Sequence, residues 1–303
     1  MNKSFYTLII ILLGASGIMA QQRPDTSFVA EFDDPTFVKG KGPAICIDAA
    51  HNNFHTAETG FSPFSKVLRL DGYEISSVNE TLDIDSNALN DCHIFVIANP
   101  LHVSNINNWV LPNPSAFSEK EIEGINEWVN SGGRLFLIAD HMPFAGAAAE
   151  LGKAFGFQFN NGFASLEKEN KQPDVFNAEN GRLVVENLPD SKINSITTFT
   201  GSAFMYPTEA KPILLFKNGD FSLEPEIAWQ FNEDTRTTAL EGFSQGAIMP
   251  YGEGKLAVFG EAAMFTAQII NTPQGVFKVG LNNKEMAPQN LEFLRSLMKW
   301  LAE

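Results

Sequence analysis

Three short apolar runs constrain the fold of this chain more than any other feature. They are Ala44–Asp48 (AICID), residues 94–98 (IFVIA) and residues 135–139 (LFLIA). Each run is almost wholly apolar, which is typical of a strand buried on both faces of a parallel sheet. Helical patterns alternate with the runs, so the sequence predicts an α/β fold with a doubly wound, mostly parallel sheet.

Two helix starts have recognisable capping signals. Ser62 followed by Pro63 predicts an N-cap and a first helical residue, and this helix should stop at Gly72. Ser118 and Glu121 have the spacing of a capping box, in which each side chain bonds the backbone of the other. Both helices would cover faces of the predicted sheet.

The second half of the chain departs from this alternation. From about residue 157 to 250, short β-like runs are separated by Gly, Asn and Pro turns, which predicts a β-rich insertion. An apolar helix beginning near Pro288 closes the chain. We therefore expect a signal peptide (1–20), an extended lead-in (21–42) and one α/β domain (43–303) that carries the insertion.

The first twenty residues have the composition of a cleaved secretory signal. A single Lys3 precedes an apolar stretch that is short for a membrane span, and Ala20 stands at the expected cleavage position. An uncleaved N-terminal anchor is the alternative. The interpretation predicts a periplasmic or secreted protein with no membrane contact beyond this segment.

The net charge narrows the range of partners. The chain has a formal charge of −15, which becomes −16 when Lys3 is removed with the signal. Such a surface repels phosphate backbones and anionic lipid headgroups, which argues against nucleic acid or a membrane surface as partner. A polar small-molecule or oligomeric substrate is the expected ligand.

The two cysteines, Cys46 and Cys92, are too few for a disulfide scaffold. Each lies in or beside a predicted strand, so both could be buried, unreactive thiols. If the two strands are neighbours, a disulfide is the alternative, because an exported protein folds in an oxidising compartment.

All five histidines lie between His51 and His141, and most follow the predicted strands. Asp48, His51 and His55 follow the first run, and Asp140 with His141 follows the third. Glu261 follows a later strand-like run, residues 255–259 (KLAVF). Because ligands of open α/β sheets bind at the carboxyl ends of the strands, these side chains should converge on one crevice.

Imidazole and carboxylate groups of this kind bind zinc and comparable divalent metals. The predicted ligands are Asp48, His51, His55 and His141, with Asp140 or Glu261 as the general base or as the group that orients a ligating imidazole. The alternative is that these residues cap helices and hold loops. The spacing matches no established metal fingerprint.

A long Asn/Pro-rich connection, residues 99–117, follows the carboxyl end of the predicted strand at residues 94–98. Loops of this length in a compact domain are often functional, so His102 and Trp109 are predicted to contact substrate. His93 precedes its strand and is expected to be structural, at the opposite end of the sheet.

Residues 242–246 match G-x-S-x-G, the motif that presents a nucleophilic serine between a strand and a helix. A turn and a strand, rather than a helix, are expected after Ser244. A serine esterase that uses Ser244 is therefore only a lesser alternative.

Five segments carry a family resemblance: residues 129–148, 155–164, 196–204 and 251–268, and the terminal NLEFLRSLMKWL. They resemble DUF4350, a family of exported bacterial proteins of unknown function with the class I glutamine-amidotransferase-like fold. The resemblance implies a flavodoxin-like α/β sandwich over residues 43–302. Amidotransferases of that fold have a cysteine in a G-x-C-x-G elbow, whereas residues 139–143 here read ADHMP, so glutamine hydrolysis is not expected.

The leading hypothesis is an exported, metal-assisted hydrolase or a related enzyme. A divalent ion lowers the pKa of a bound water to about 7 and so supplies hydroxide without a protein nucleophile. A non-catalytic ligand-binding or scaffold protein on a degenerate amidotransferase-like fold is the alternative, because fold alone does not define function.

Overall fold

The structure is a computed structural model that describes residues 22–80, 89–168, 173–190, 192–272 and 275–303. The proposed signal peptide, residues 1–20, lies outside these residues. The helices are α1 (Ser62–Leu70), α2 (Glu119–Asn130), α3 (Phe144–Ala154) and α4 (Asn290–Ala302). The strands are β1 (Arg23–Pro24), β2 (Ala44–Asp48), β3 (Glu74–Val78), β4 (Ile94–Ala98), β5 (Arg134–Ile138), β6 (Gln158–Ser165), β7 (Asp174–Asn177), β8 (Ser195–Thr198), β9 (Gly201–Met205), β10 (Lys211–Leu215), β11 (Phe221–Glu224), β12 (Arg236–Ala239), β13 (Ser244–Tyr251), β14 (Gly254–Phe259), β15 (Ala267–Thr272) and β16 (Gly275–Gly280).

One large mixed sheet of eleven strands dominates the described residues. Its path runs β12-β11-β6-β9-β13-β14-β5-β4-β2-β3, and β10 pairs with β13 beside this path. The strands β3, β2, β4, β5 and β14 pair in parallel. From β14 outward through β13, β9, β6, β11 and β12, every pairing is antiparallel.

The prediction of a doubly wound, mostly parallel sheet is therefore wrong. The protein is β-rich, and its four described helices cover only part of the strand surface. The short runs of the second half do not form a separate decoration, because residues 246–251 of β13 pair with the whole of β14 and extend the parallel sheet. Apolar runs identify buried strands in a sequence, but they do not reveal the direction of the neighbouring strand.

Both faces of β2, β4, β5 and β14 are buried, which explains the continuous apolar runs. On one face, Val96 and Phe136 pack with the side chains of α1 and α4. On the other face, Ile97 and Leu137 pack with those of α2 and α3. Successive side chains of a strand point to opposite faces, so each run needs apolar residues at every position.

Several local predictions are confirmed. The Ser118–Glu121 capping box is present at the start of α2, and β2 and β4 have the expected bounds. The cap predicted for α1 is wrong, because Phe61 is the N-cap residue and the Ser62 hydroxyl has no hydrogen-bond partner.

The cysteines form a disulfide that joins β2 to the segment before β4. The two strands are parallel neighbours, which was the condition for this bond. The lead-in begins with β1, which pairs with β15 in a small three-stranded sheet. Among the described residues, no helix is both long and apolar enough to cross a membrane.

Candidate acid–base site at the carboxyl edge of the sheet

The carboxyl ends of β2, β4, β5 and β14 lie side by side because these strands are parallel neighbours. Polar residues follow each of them: Asp48 and His51, then Asn99, then Asp140 and His141, and finally Glu261. All six side chains are buried. The structure therefore places the predicted site residues along one edge, but it divides them into groups with different surroundings.

His51 is held between two carboxylates. Its Nδ1 lies 2.9 Å from Asp48 Oδ2, and its Nε2 lies 3.2 Å from Glu121 Oε1. Burial of the ring would lower the pKa of His51, but the hydrogen bonds and charges of Asp48 and Glu121 outweigh burial and raise it. Because both ring nitrogens are engaged, His51 is arranged as a structural imidazolium that joins the β2 loop to α2.

His55 is buried and has an almost wholly apolar surrounding. Its ring stacks on Phe61 with centroids 5.0 Å apart. Its Nδ1 has no hydrogen-bond partner and faces Gly60, where an added Cβ would lie 1.8 Å from that nitrogen. Burial, with a smaller contribution from His141, lowers the pKa of His55 to about 3. The ring is therefore neutral at physiological pH.

Asp140 and Glu261 form a buried carboxyl pair. Burial raises the pKa of Asp140, although the His141 and Ala262 amides bond the carboxylate. Burial and the charge of Asp140 raise the pKa of Glu261 well above its usual range. Burial disfavours the charged form of both carboxyls, and the charge of Asp140 further disfavours ionisation of Glu261.

His141 differs from His51 and His55. Its Nδ1 lies 2.6 Å from the Met142 carbonyl oxygen, which fixes the tautomer with the proton on Nδ1. Within the described part of the chain, no hydrogen bond to Nε2 is found. That nitrogen has a lone pair available as a base or as a metal ligand.

Aromatic rings surround His141. Phe163 stacks on it at 4.5 Å, Trp229 meets it edge-on at 4.8 Å, and Trp109 lies 6.0 Å away between centroids. Phe54 packs against Trp109 at 5.6 Å. Phe54 and Trp229 are 46% and 47% exposed, so their ring faces are open to a ligand beside the buried imidazole.

Trp229 has an unusual backbone conformation. Its φ of 68° lies in the left-handed region, which is strained for a bulky side chain. Such strain is of the order of 1–3 kcal/mol and is concentrated at functional sites. The strained turn presents the indole ring next to His141.

Two other predicted residues have local roles. The His102 ring accepts a hydrogen bond from the Ser104 amide and caps a short 3-10 turn in the loop that carries Trp109. Ser244 is fully buried, and its hydroxyl lies 2.8 Å from both the Leu214 and the Gly246 carbonyl oxygens. Ser244 begins β13 and is not displayed on an elbow.

The predicted metal ligands are not gathered into one set. Asp48 and His51 bond each other, His55 is enclosed by apolar contacts, and His141 lies in the aromatic cluster. Among the residues that the structure describes, no group of three or more His, Cys, Asp or Glu side chains is arranged to hold a metal ion.

Four residues of the edge were not predicted from the sequence: Asn99, Glu121, Phe163 and Trp229. The Asn99 side chain accepts the Asp140 amide at 2.9 Å, and its φ is 51°. Its position directly after β4 was a usable signal. Glu121 was recognised only as a cap, and Phe163 and Trp229 reach the site through antiparallel pairing that the sequence does not reveal.

No protein-family model matches the sequence, and no curated protein matches it. Among solved structures, the chain is similar to the mmIFT52 N-terminal domain, with a TM-score of 0.57 and 17% identity over 86% of this chain and 97% of that domain. This likeness shows a shared fold.

Two further neighbours have lower TM-scores. The cytoplasmic protein STM1381 from Salmonella typhimurium LT2 has a TM-score of 0.48 and 13% identity over 86% of this chain and 97% of its own. A ThuA-like protein from Bacteroides uniformis has a TM-score of 0.44 and 12% identity over 89% of this chain and 94% of its own.

Proposed function

We propose that the protein is an exported hydrolase that acts on a polar substrate by acid–base catalysis at the carboxyl edge of the sheet. The observation that carries the proposal is the hydrogen bonding of the His141 ring, which within the described residues engages only one of its two nitrogens. Its Nδ1 is committed to the Met142 carbonyl at 2.6 Å, so Nε2 is left as a fixed base, and burial raises the pKa of the neighbouring Asp140 and of Glu261. The disulfide and the signal-like first twenty residues support export.

In this mechanism His141 Nε2 takes a proton from water as the water oxygen bonds the electrophilic carbon of the substrate. The scissile bond breaks, and the carboxyl pair of Asp140 and Glu261 gives its proton to the leaving group. The imidazolium then returns its proton to the pair through solvent. A raised carboxyl pKa suits this role, because the acid must hold its proton at the working pH.

The aromatic rings supply binding rather than chemistry. Phe54, Trp109 and Trp229 offer weakly polar faces next to His141, which suits a substrate that has flat apolar surfaces between polar groups. The same rings limit the access of water to the imidazole, which strengthens the electrostatic interactions within the site.

A chromogenic panel of p-nitrophenyl glycosides and esters tests the proposal on the full chain. His141→Gln should lower kcat on any hydrolysed member by about 100-fold or more, the usual contribution of a positioned general base. His93→Gln is the matched control, because His93 lies at the opposite end of the sheet and contacts the Ala44 amide. Equal rates in the two variants would refute a role for His141.

Binding of a divalent metal such as zinc is now proposed only as an alternative role of His141. The other proposed ligands already have partners or apolar surroundings, whereas His141 Nε2 has a lone pair that could bind an ion. Metal analysis after dialysis distinguishes the two roles. Stoichiometric zinc in the wild type that is lost in His141→Ala would make His141 a metal ligand instead of the general base, and the ion would supply the activation of water.

A non-catalytic binding protein is the second candidate, and one observation favours it. The Glu261 carboxylate accepts the amides of Ala263 and Met264 at 2.9 and 2.7 Å, an arrangement that also anchors a loop. A protein of this kind would bind its ligand with no turnover, and His141→Gln would change affinity alone.

A further inference from the structure

A surface groove of about 680 Å³ lies next to the aromatic cluster of the proposed site. Its lining combines amides and carboxylates, including Asn161, Glu226, Gln230 and Asp234. The volume falls within the usual range of about 300–1,000 Å³ for small-molecule sites. Nothing in the proposed chemistry at His141 uses this space.

Two chain segments connect the groove to the site. In the first, Trp109 contacts His141 and Leu111, two positions later, lines the groove. In the second, Ile227 lines the groove and Trp229, two positions later, contacts His141.

Backbone hydrogen bonds hold the two segments together. The Ala228 amide donates to the Trp109 carbonyl at 2.9 Å, and the Leu111 amide donates to the Glu226 carbonyl at 3.0 Å. Two residues of extended chain span roughly 7 Å, so one ligand several units long can reach from His141 into the groove.

The charges of the groove limit what it binds. Among its lining residues Glu224, Glu226 and Asp234 are acidic, and the one basic residue, Arg236, pairs with Glu224 at 3.4 Å. Together with the net charge of the chain, this excludes phosphorylated and carboxylated ligands.

A cationic ligand gains little in this groove. Glu226 and Asp234 are exposed, so their attraction for a cation is screened by water and salt. Hydroxyl groups suit the lining better, because each can donate to a carboxylate and accept from an amide.

We propose that the groove binds the further units of a neutral, polyhydroxylated oligomer, an oligosaccharide, whose terminal unit lies on the aromatic rings at His141. This rests on the proposed function, whose substrate class it names. The C–H face of a sugar ring packs on an indole or phenyl face, and its hydroxyls reach Asn161 and Gln230. Trp229 contacts His141, and its chain neighbours Ile227 and Gln230 line the groove, so one turn with a strained backbone joins the two places.

Binding of sugars of different length and charge to the full chain, measured by calorimetry, tests this proposal. The neutral probes are maltohexaose, cellohexaose and xylohexaose, each beside its disaccharide; hexagalacturonate and hexaglucosamine are the anionic and cationic probes. At least one neutral hexasaccharide should bind about tenfold more tightly than its disaccharide, since several extra hydrogen bonds form. Tightest binding of hexaglucosamine, or no binding of any neutral hexasaccharide, would overturn the proposal.

A double variant, Glu226→Ala with Gln230→Ala, localises the effect. It should reduce the ratio of hexasaccharide to disaccharide affinity to within about threefold. Glu209→Ala, an exposed carboxylate outside the groove, is the control and should keep the full ratio. An unchanged ratio in the double variant would place the extra units elsewhere and refute the assignment of the groove.

The assignment of the groove and the hydrolase proposal can be refuted independently. If neutral hexasaccharides bind with the expected ratio but are never cleaved, the groove assignment stands and the hydrolase proposal falls. If a short chromogenic substrate is cleaved in a His141-dependent reaction but affinity does not depend on chain length, the groove assignment falls alone.

Discussion

His51 and His141 both follow parallel strands, and both are nearly buried, at 3% and 7% exposure. The difference lies in their ring nitrogens. His51 gives both nitrogens to carboxylates that belong to the fold, whereas His141 gives one to a backbone carbonyl and keeps the other. Burial and sequence context are therefore poor guides to whether an imidazole nitrogen is left available. Whether both ring nitrogens of a histidine have hydrogen-bond partners is the better guide.

The largest effect on stability is expected from His51→Ala. The variant leaves Asp48 and Glu121 buried beside each other without the cation between them. Breaking a buried ion pair in this way typically costs about 3–5 kcal/mol in the free energy of unfolding. Urea denaturation at pH 6.5 measures it, and a loss below about 1 kcal/mol would show that His51 is not a structural imidazolium.

Removal of the disulfide should come next. Cys46→Ala with Cys92→Ala opens a bond that spans 46 residues of sequence. A loop of that size predicts a loss of roughly 2–4 kcal/mol. Hydrogen exchange should rise in residues 48–53, above β2, before it rises in residues 141–146. The reverse order would mean that the disulfide does not support the His51 loop specifically.

Two histidines of one loop should give the free energy of unfolding opposite pH dependences: an acid arm, where stability falls at low pH, and an alkaline arm, where it falls at high pH. The fold lowers the pKa of His55 to about 3, so His55 supports stability above its ordinary pKa of 6.5. This contribution is lost as the pH falls below 6.5, and the loss is about 2 kcal/mol at pH 5. His51, with its pKa raised, contributes fully below pH 6.5, and this is lost as the pH rises through the folded pKa.

Urea midpoints between pH 5 and pH 8 separate the two arms. His55→Phe, which keeps a ring stacked on Phe61, should flatten the acid arm and leave the alkaline arm. His51→Gln should do the opposite. If either variant flattened both arms, the assignments would be wrong.

The smallest effect on stability is expected from His141→Ala, about 1 kcal/mol for one hydrogen bond and ring contacts. Turnover should nevertheless be lost. Leu137→Ala is the matched control four residues earlier, where truncation of a buried side chain should cost about 2–5 kcal/mol. A His141→Ala protein that is as unstable as Leu137→Ala would indicate that the imidazole is structural.

Individual elements of the parallel half could be predicted from the sequence, because continuous apolar runs and capping signals are local. AICID, IFVIA and the Ser118–Glu121 box became β2, β4 and the start of α2. The class of the sheet was predicted wrongly. The pairing of β13 with β14 depends on a turn at residues 252–253 and on long-range contacts, and no local pattern in residues 157–250 states which strands will meet.

The sequence by itself determined which chemical groups stand at the carboxyl ends of the parallel strands, because a buried run must end where polar residues begin. It also set the formal charge of −15. Only the tertiary structure decided which of these groups are engaged in hydrogen bonds within the fold and which are left available. Glu121 reaches His51 from 70 residues away, and Phe163 and Trp229 enclose His141 from antiparallel strands and turns of the second half. The proton balance of a buried side chain depends on neighbours that come from anywhere in the chain, and folding alone brings them together.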